Sequence, residues 1–255
     1  ATAGFLGNTN IQRQNIEQIQ FTNSPGFPTP KSSYSATNNT GSGHSSSATT
    51  WKDLSGSNNG TLSGGTWNSD YLKLDGTDDV VNLGNISLAN NKITLDATVM
   101  VNAYPSGESV DLVSSIGGGV GDGGVCLNLN DGYPQLAVCL KEKYAFVDTR
   151  APTRITTGKK VHITGSYDGT TALLYIDGKL VARTNITGTI FDPAHGKMAI
   201  GARPQYNGGY ALYANCNIYE VNIYNKALTQ SEIEKIATKW DVSDAGDGSI
   251  QAWYE

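Results

Sequence analysis

The sequence predicts an all-β fold built as two packed antiparallel sheets. The stretch 160–183 has three apolar runs separated by the dipeptides Asp168-Gly169 and Asp177-Gly178. Asp-Gly between strand-forming residues is a strong hairpin signal, because such turns need residues that tolerate a positive φ. The resulting meander carries apolar side chains on both faces, so a second layer must cover it. The 30 glycines and the charged fraction of 16% also fit a turn-rich β protein.

Further strand-like segments recur at the 8–12-residue spacing of sandwiches and barrels. They lie at 61–67, 71–75, 79–83, 93–103, 110–116, 144–148, 197–202 and 211–224, with a hairpin around 126–139. One helix is predicted at 229–239, where Thr229 and Glu232 have the spacing of a capping box. Ile233 and Ile236 follow on the stripe that would pack on the sandwich.

The flanks suggest three parts for the chain. Residues 1–47 combine a possible strand at 16–22 with a stretch from 23 to 47 rich in Ser, Thr, Asn, Gly and Pro. This composition buries little apolar surface, so we interpret it as a loop or linker. The sandwich then occupies 48–240. Residues 241–255 contain a last strand at 249–254, and we predict that it pairs with the N-terminal one.

The three cysteines are too few for a disulfide-dense scaffold. A hairpin centred on 132–133 places Cys126 directly opposite Cys139. A disulfide between them would be strained, and two buried thiols are the alternative interpretation. In the same way, a turn at 177–178 predicts that Leu174 pairs with Val181.

Net charge narrows the classes of partner. The formal charge of −5 argues against a surface for nucleic acid, which attracts positive charge. The sequence has no run of 18 apolar residues, so we expect no membrane insertion. The low charge and the abundance of Asn, Thr and Ser favour an extracellular or surface-attached protein, with a virion surface as the alternative location. The oligomeric state stays open.

Five segments, taken together, resemble the laminin G-like/concanavalin A-like lectin family of jelly rolls: 49–62, 71–83, 93–101, 162–182 and 218–236. The family resemblance implies a two-sheet jelly-roll sandwich with one short C-terminal helix. Residues 15–22 and 240–254 resemble the two halves of a small module of bacterial leucine-rich surface proteins. The lectin-like domain would then be inserted between these halves.

The resemblance also implies a structural Ca²⁺ ion, because members of the family often carry one. Asp53, Asp75 and Asp78 supply the hard oxygen ligands that Ca²⁺ prefers. The alternative is that these residues only shape turns. For a ligand, the loop 203–210 brings together Arg203, Tyr206, Asn207 and Tyr210. Aromatic rings, amides and guanidinium groups suit a sugar, although packing is the alternative role for each tyrosine.

Glycoside hydrolases of related folds need paired carboxylates, and the sequence shows no such array. Glu232 and Glu234 lie at a helix start, and His162 lies within a strand beside no nucleophile motif. We therefore predict no enzymatic activity. The predicted function is a non-catalytic, carbohydrate-binding or adhesion module of an extracellular surface protein, with a glycan or glycosylated surface protein as partner. A structural spacer is the second alternative, and a glycoside hydrolase is the third.

Overall fold

The computed structural model describes residues 26–88, 91–117, 123–142, 145–192 and 197–244. Eighteen strands lie in this part of the chain, together with a 3-10 helix at Ala36–Asn38 and one α-helix, α1, at Gln230–Asp244. The strands form two eight-stranded antiparallel sheets and one two-stranded hairpin. This arrangement confirms the predicted two-sheet jelly-roll sandwich.

Sheet A contains the two longest of the described strands, Ile93–Ala103 and Asn215–Tyr224. Its strands are β1 (Ser32–Ser35), β4 (Thr66–Trp67), β5 (Leu72–Asp75), β7 (Ile93–Ala103), β12 (Lys160–Tyr167), β13 (Thr171–Ile176), β14 (Lys179–Asn185) and β18 (Asn215–Tyr224). The order is β14-β13-β12-β7-β18-β5-β4, and β1 pairs with β18 as well. The predicted strand at 93–103 is found with those bounds.

Sheet B packs against sheet A and contains the predicted hairpin around 126–139. Its strands are β2 (Thr50–Trp51), β3 (Gly60–Ser63), β6 (Val80–Gly84), β8 (Ser109–Ser114), β9 (Val125–Asn130), β10 (Tyr133–Leu140), β11 (Ala145–Arg150) and β15 (Met198–Ile200). The order is β11-β10-β9-β8-β15-β6-β3-β2. The separate hairpin consists of β16 (Arg203–Pro204) and β17 (Tyr210–Ala211).

The core lies between the sheets and is formed by alternate strand residues. Leu95, Ala97, Val99 and Val221 have no exposed surface. Leu173 differs, because its side chain points to the other face of β13. There it is partly buried in a smaller cluster under helix α1.

Helix α1 begins as predicted. The Thr229 amide donates to Glu232 Oε2 at 2.9 Å, and the Glu232 amide donates to Thr229 Oγ1 at 3.3 Å, which is the reciprocal pair of a capping box. Ile233 and Ile236 are buried against the outer face of sheet A. The helix continues to Asp244, beyond the predicted end at 239.

Two predicted registers are wrong. The turn between β9 and β10 is Asp131-Gly132, with φ values of 51° and 77°, so Cys126 lies opposite Ala137 and not opposite Cys139. Asp-Gly tolerates two consecutive positive φ angles, whereas the tyrosine of a Gly-Tyr turn does not. Cys126, Cys139 and Cys216 are buried, and none of them forms a disulfide.

The second register error lies between β13 and β14. Leu174 pairs with Ala182 and not with Val181, because a bulge shifts the register after Tyr175 pairs with Leu180. A bulge adds one residue to one strand, which the symmetry of the turn cannot predict.

The stretch 23–47 contains more structure than a linker. Ser32–Ser35 form β1 and pair with Glu220–Ile223 of β18. Tyr34 is fully buried, and its ring contacts Trp51 edge-on at 5.9 Å between centroids. One large aromatic side chain thus anchors a segment that is otherwise polar.

The predicted strands at 16–22 and 249–254 lie outside the described residues, so their pairing and the domain boundaries stay predictions. Helix α1 is not a candidate to span a bilayer, and the described part of the chain holds no other helix of the necessary length and hydrophobicity.

Candidate functional site

The β16–β17 hairpin holds the four residues predicted to bind a ligand. Arg203 donates from Nε and a terminal nitrogen to the two oxygens of Asp111, at 2.8 and 3.0 Å. Burial lowers the pKa of the Arg203 guanidinium, but the hydrogen bonds and charge of Asp111 outweigh burial and raise it overall. Asp111 is fully buried. Arg203 therefore attaches the hairpin to β8.

The other three residues of the hairpin divide between packing and exposure. Tyr210 is partly buried against the small cluster of Val80, Ala199 and Ala202. Tyr206 at the tip is 73% exposed. Asn207 Oδ1 accepts from the Gly209 amide at 3.1 Å, which shapes the tip. The structure thus presents Tyr206 and Asn207 to solvent, and their binding of a ligand stays a prediction.

A line of polar side chains crosses sheet B on the face that points away from the core. Cross-strand partners are Arg150 with Gln135, Gln135 with Asn128, and Asn128 with Asp111. Their neighbours Leu127 and Leu136 are buried in the core, so alternation directs these four outward. We call Asp111, Asn128, Gln135 and Arg150 the polar strip. Three strand spacings give it a length of ~14 Å.

The polar strip contains a buried acceptor without a hydrogen-bond donor. Among the described residues, Asn128 Oδ1 has no partner. Asn128 is 3% exposed and Gln135 is 4% exposed, whereas Arg150 at the end of the strip is exposed. An unpaired buried polar group costs about 1–3 kcal/mol. A hydroxyl group brought to Asn128 by a ligand would satisfy it.

At one end of the polar strip, two arginines flank a tyrosine. The guanidinium carbons of Arg150 and Arg154 lie 4.2 and 5.2 Å from the centre of the Tyr133 ring. Arg150 also donates to the Asn130 carbonyl at 3.2 Å, and Arg154 forms an ion pair with Asp131. We call Tyr133, Arg150 and Arg154 the arginine–tyrosine cluster.

The tight turn at the end of β9 positions this cluster. A Cβ at Gly132 would collide with the Tyr104 ring, so only glycine permits this approach. The Gly132 carbonyl accepts from the Ile155 amide at 2.8 Å, which holds the loop after β11 beside the turn. Arg154 of that loop is thereby placed next to Tyr133.

Sequence analysis missed the polar strip and the arginine–tyrosine cluster. Their members lie far apart in sequence and meet only through the registers of four strands. A usable signal was present, however. Asn128 and Gln135 are amides within otherwise apolar strands, at positions whose neighbours face the core.

The predicted metal ligands need one correction. Oxygens of Asp75, Asp78 and Asp79 lie within 4.8 Å of one another. Asp53 is not in this group. Its carboxylate accepts backbone N–H groups of residues 33, 55, 56 and 58 at 3.0–3.1 Å, so it shapes the turn after β2.

The three remaining acidic residues, Asp75, Asp78 and Asp79, offer the oxygen donors that suit Ca²⁺. Part of its capacity is already used, because Asp79 Oδ2 accepts from the Asp75 amide at 2.9 Å and Asp75 Oδ1 accepts from the Thr77 amide at 2.7 Å. Asp75, Asp78 and Asp79 would hold the ion, which stays a prediction.

A buried charged network lies on the outer face of sheet A. Asp96 Oδ1 accepts from Thr164 Oγ1 at 2.7 Å, and its Oδ2 accepts from Asn222 Nδ2 at 3.1 Å. His162 Nε2 is 2.7 Å from Asp96 Oδ1, although the ring N–H is not aligned for a hydrogen bond. Glu220 Oε1 accepts from Asn222 Nδ2 at 2.8 Å.

The pKa values of Asp96 and His162 reflect two opposing effects, burial and the charge of the partner. Burial raises the pKa of Asp96, but the charge of His162 and the hydrogen bonds outweigh burial, so the pKa lies below its ordinary value. Burial lowers the pKa of His162, and the charge of Asp96 outweighs it, so this pKa lies above its ordinary value. Asp96, His162 and Glu220 are each at most 6% exposed, so the network serves the fold.

The two antiparallel sheets and the polar outer face of sheet B define a lectin-like β-sandwich. The chain belongs to a laminin G-type family described as the concanavalin A-like lectin/glucanases superfamily, which it matches over residues 75–234. The comparison with curated proteins finds no match.

Several solved structures share this fold. A Trypanosoma rangeli sialidase in complex with 2,3-difluoro-KDN is 18% identical, with a TM-score of 0.62, over 88% of this chain and 36% of the sialidase. The T. rangeli sialidase in complex with sialic acid is 20% identical, with a TM-score of 0.60, over 82% and 33% of the two chains. The binding domain of botulinum neurotoxin DC in complex with SialylT is 13% identical, with a TM-score of 0.56, over 73% and 47%.

These comparisons correct the predicted function. The chain spans about a third of the length of the sialidases that it matches. The fold therefore occurs within glycoside hydrolases, so the prediction of an adhesion module of a surface protein, which ranked hydrolases last, is wrong. The error arose because catalytic motifs within this chain were the only signs of a hydrolase considered.

Proposed function

We propose that this chain is the glycan-recognising part of a glycoside hydrolase. The polar strip supports this proposal, because it places amide and guanidinium groups in one line on an outer sheet face. Sugar hydroxyls donate and accept hydrogen bonds, and Asn128 Oδ1 is a buried acceptor that needs a donor. A hydroxyl of a bound sugar supplies that donor.

The proposal divides binding and hydrolysis between parts of a longer protein. The sialidases that share the fold are about three times as long as the matched region. We expect this chain to bind glycan without turnover, while the rest of the enzyme supplies the catalytic residues. An extracellular or surface location and a glycosylated protein as partner belong to this proposal.

The test measures binding and hydrolysis on the same preparation. Isothermal titration with 3′-sialyllactose and lactose gives affinities, and a fluorogenic sialoside reports turnover. We expect saturable glycan binding and no release of the fluorophore. Turnover by this chain alone would contradict the division of labour, and no binding of any sugar in a broad glycan array would contradict glycan recognition.

The variant Asn128→Leu separates binding from folding. It removes an acceptor that has no donor, so stability should stay the same or rise. Glycan affinity should fall at least tenfold, because the sugar hydroxyl loses its acceptor. Tyr206→Ala is the contrasting variant, since it tests the hairpin tip. Lost affinity in Tyr206→Ala and full affinity in Asn128→Leu would move the site from the polar strip to the hairpin.

A further inference from the structure

We infer that the arginine–tyrosine cluster binds the carboxylate of a terminal acidic sugar, an inference that rests on the proposed glycan recognition. The cluster contains Tyr133, Arg150 and Arg154 and lies at the open end of the polar strip, where Arg150 pairs with Gln135. A planar guanidinium matches a planar carboxylate through two parallel hydrogen bonds. The cluster thus selects acidic over neutral sugars.

The two arginines retain donors for such a ligand. A guanidinium has five N–H groups. In Arg150, a terminal nitrogen donates to the Asn130 carbonyl. In Arg154, Nε donates to the Asp131 carbonyl and a terminal nitrogen donates to the Asp131 carboxylate. Both side chains reach solvent, so within the described part of the chain their other N–H groups are open to an incoming carboxylate.

Electrostatics favour an anion at this end of the molecule. Hydrogen bonding by the Gly107 amide lowers the pKa of Asp131, and Arg154 lowers it further, so Asp131 is ionised at neutral pH. Two guanidinium groups and one carboxylate leave a local charge of about +1, by the ordinary charges of these groups. The whole chain has a formal charge of −5, so the local charge of the cluster is opposite in sign to that of the chain.

Stacking prepares Arg150 for binding. Its guanidinium lies 4.2 Å from the Tyr133 ring centre, which restricts the rotamers of a long side chain before the ligand arrives. A group that is already ordered loses less entropy on binding. With its carboxylate on Arg150, an acidic sugar can extend along the polar strip towards Asn128, whose Oδ1 needs a donor.

The experiment compares three forms of one ligand. We titrate the chain with 3′-sialyllactose, with its methyl ester and with lactose. The acid should bind at least tenfold more tightly than the ester, and the ester should bind like lactose. A disaccharide that ends in glucuronic acid distinguishes the two sources of a sugar carboxylate. Binding of both acids supports recognition of the charge, and binding of the sialoside alone restricts the inference to sialic acids.

Variants identify the arginine that carries the effect. Arg150→Gln should lower affinity for 3′-sialyllactose at least tenfold and lower affinity for lactose by a much smaller factor, because lactose has no carboxylate to lose. Arg150→Lys should restore only part of it, because an ammonium group cannot make the bidentate contact. Arg154→Gln should have a smaller effect, since Arg154 is already paired with Asp131. Lys73→Gln is the matched control, as it removes an exposed positive charge from β5, far across the sheets.

The outcomes separate this inference from the proposed function. If Arg150→Gln binds 3′-sialyllactose as the native chain does, or if the ester binds as tightly as the acid, the inference is wrong while glycan recognition stands. If no sugar binds, the proposed function is wrong as well. Urea midpoints of all variants should match the native value, because exposed charged residues contribute little to stability.

Discussion

Replacing Asp96 with Asn removes the central charge of the buried network on sheet A while keeping the shape of the side chain. Asp96 accepts from Thr164 through Oδ1 and from Asn222 through Oδ2, and His162 lies 2.7 Å away. The amide of Asn has one acceptor and one donor. At the Oδ2 position its NH₂ group meets the donor of Asn222, and at the Oδ1 position it meets the protonated His162 ring, so one buried contact becomes unfavourable in either orientation.

The magnitude follows from the burial of the pair. Asp96 is 2% exposed and His162 is 3% exposed. Removing one partner of a buried ion pair costs about 3–5 kcal/mol, because the other charge is left without compensation. For a domain of this size, that loss lowers the melting temperature by about 6–20 °C. Asp148→Asn makes the same chemical change at an exposed site and should cost less than about 0.5 kcal/mol.

The loss should depend on pH in a defined direction. The lowered pKa of Asp96 gives stability that is present above the ordinary value of 3.8 and is lost as pH falls through the folded-state value. The raised pKa of His162 gives stability that is complete below the ordinary value of 6.5 and is lost as pH rises through the folded-state value. The ion pair is therefore strongest between these limits.

Urea denaturation at pH 5.5 and pH 9 tests both expectations. The buried residues Trp51 and Trp67 provide a fluorescence signal for unfolding. The difference between native and Asp96→Asn proteins should be largest at pH 5.5 and smaller at pH 9, with equal m-values. A cost below about 1 kcal/mol at pH 5.5, or a difference that grows towards pH 9, would refute the buried ion pair.

Three further predictions follow from the described contacts. Arg203→Gln leaves the fully buried Asp111 without its bidentate partner, so thermal unfolding should show a loss of about 3–5 kcal/mol, whereas Arg183→Gln on β14 should show little change. Thr229→Ala removes the helix cap and should lower stability by about 0.5–2 kcal/mol in urea, with Thr229→Ser close to native. Ca²⁺ at about 100 times its Kd should stabilise the protein by about 2.7 kcal/mol. A chelator should abolish this effect, and so should the double variant in which Asp75 and Asp78 are replaced by Asn. Equal melting curves with and without Ca²⁺ would exclude the ion.

The sequence was sufficient for the fold because local signals agreed with one another. Asp-Gly turns, alternating strands such as 93–103 and the Thr229–Glu232 capping box each determine structure within a few residues. Errors arose where the register of a strand pair depended on the local backbone conformation. The β-bulge in β13–β14 shifted partners by one residue, and the turn with positive φ at Asp131 shifted the partner of Cys126 by two, from Cys139 to Ala137.

The candidate site was less predictable, because its residues meet only through long-range pairing. Arg203 was expected to bind a ligand, yet it is committed to Asp111, which is 92 residues away in sequence. Asn128 and Arg150 reach the same face through two intervening registers. Strand alternation can indicate the face of each residue but not its neighbours across the sheet.

The rate at which the three buried thiols react reports on local opening of the sandwich. A thiol reacts as the thiolate, and burial raises the pKa of Cys216 to about 12. Burial and the charge of Asp111 also raise the pKa of Cys126. Modification by an aromatic disulfide reagent therefore has to await a fluctuation that exposes the sulfur. Because Cys216 lies in sheet A and Cys126 in sheet B, their separate labelling rates show whether the two layers separate together or one at a time.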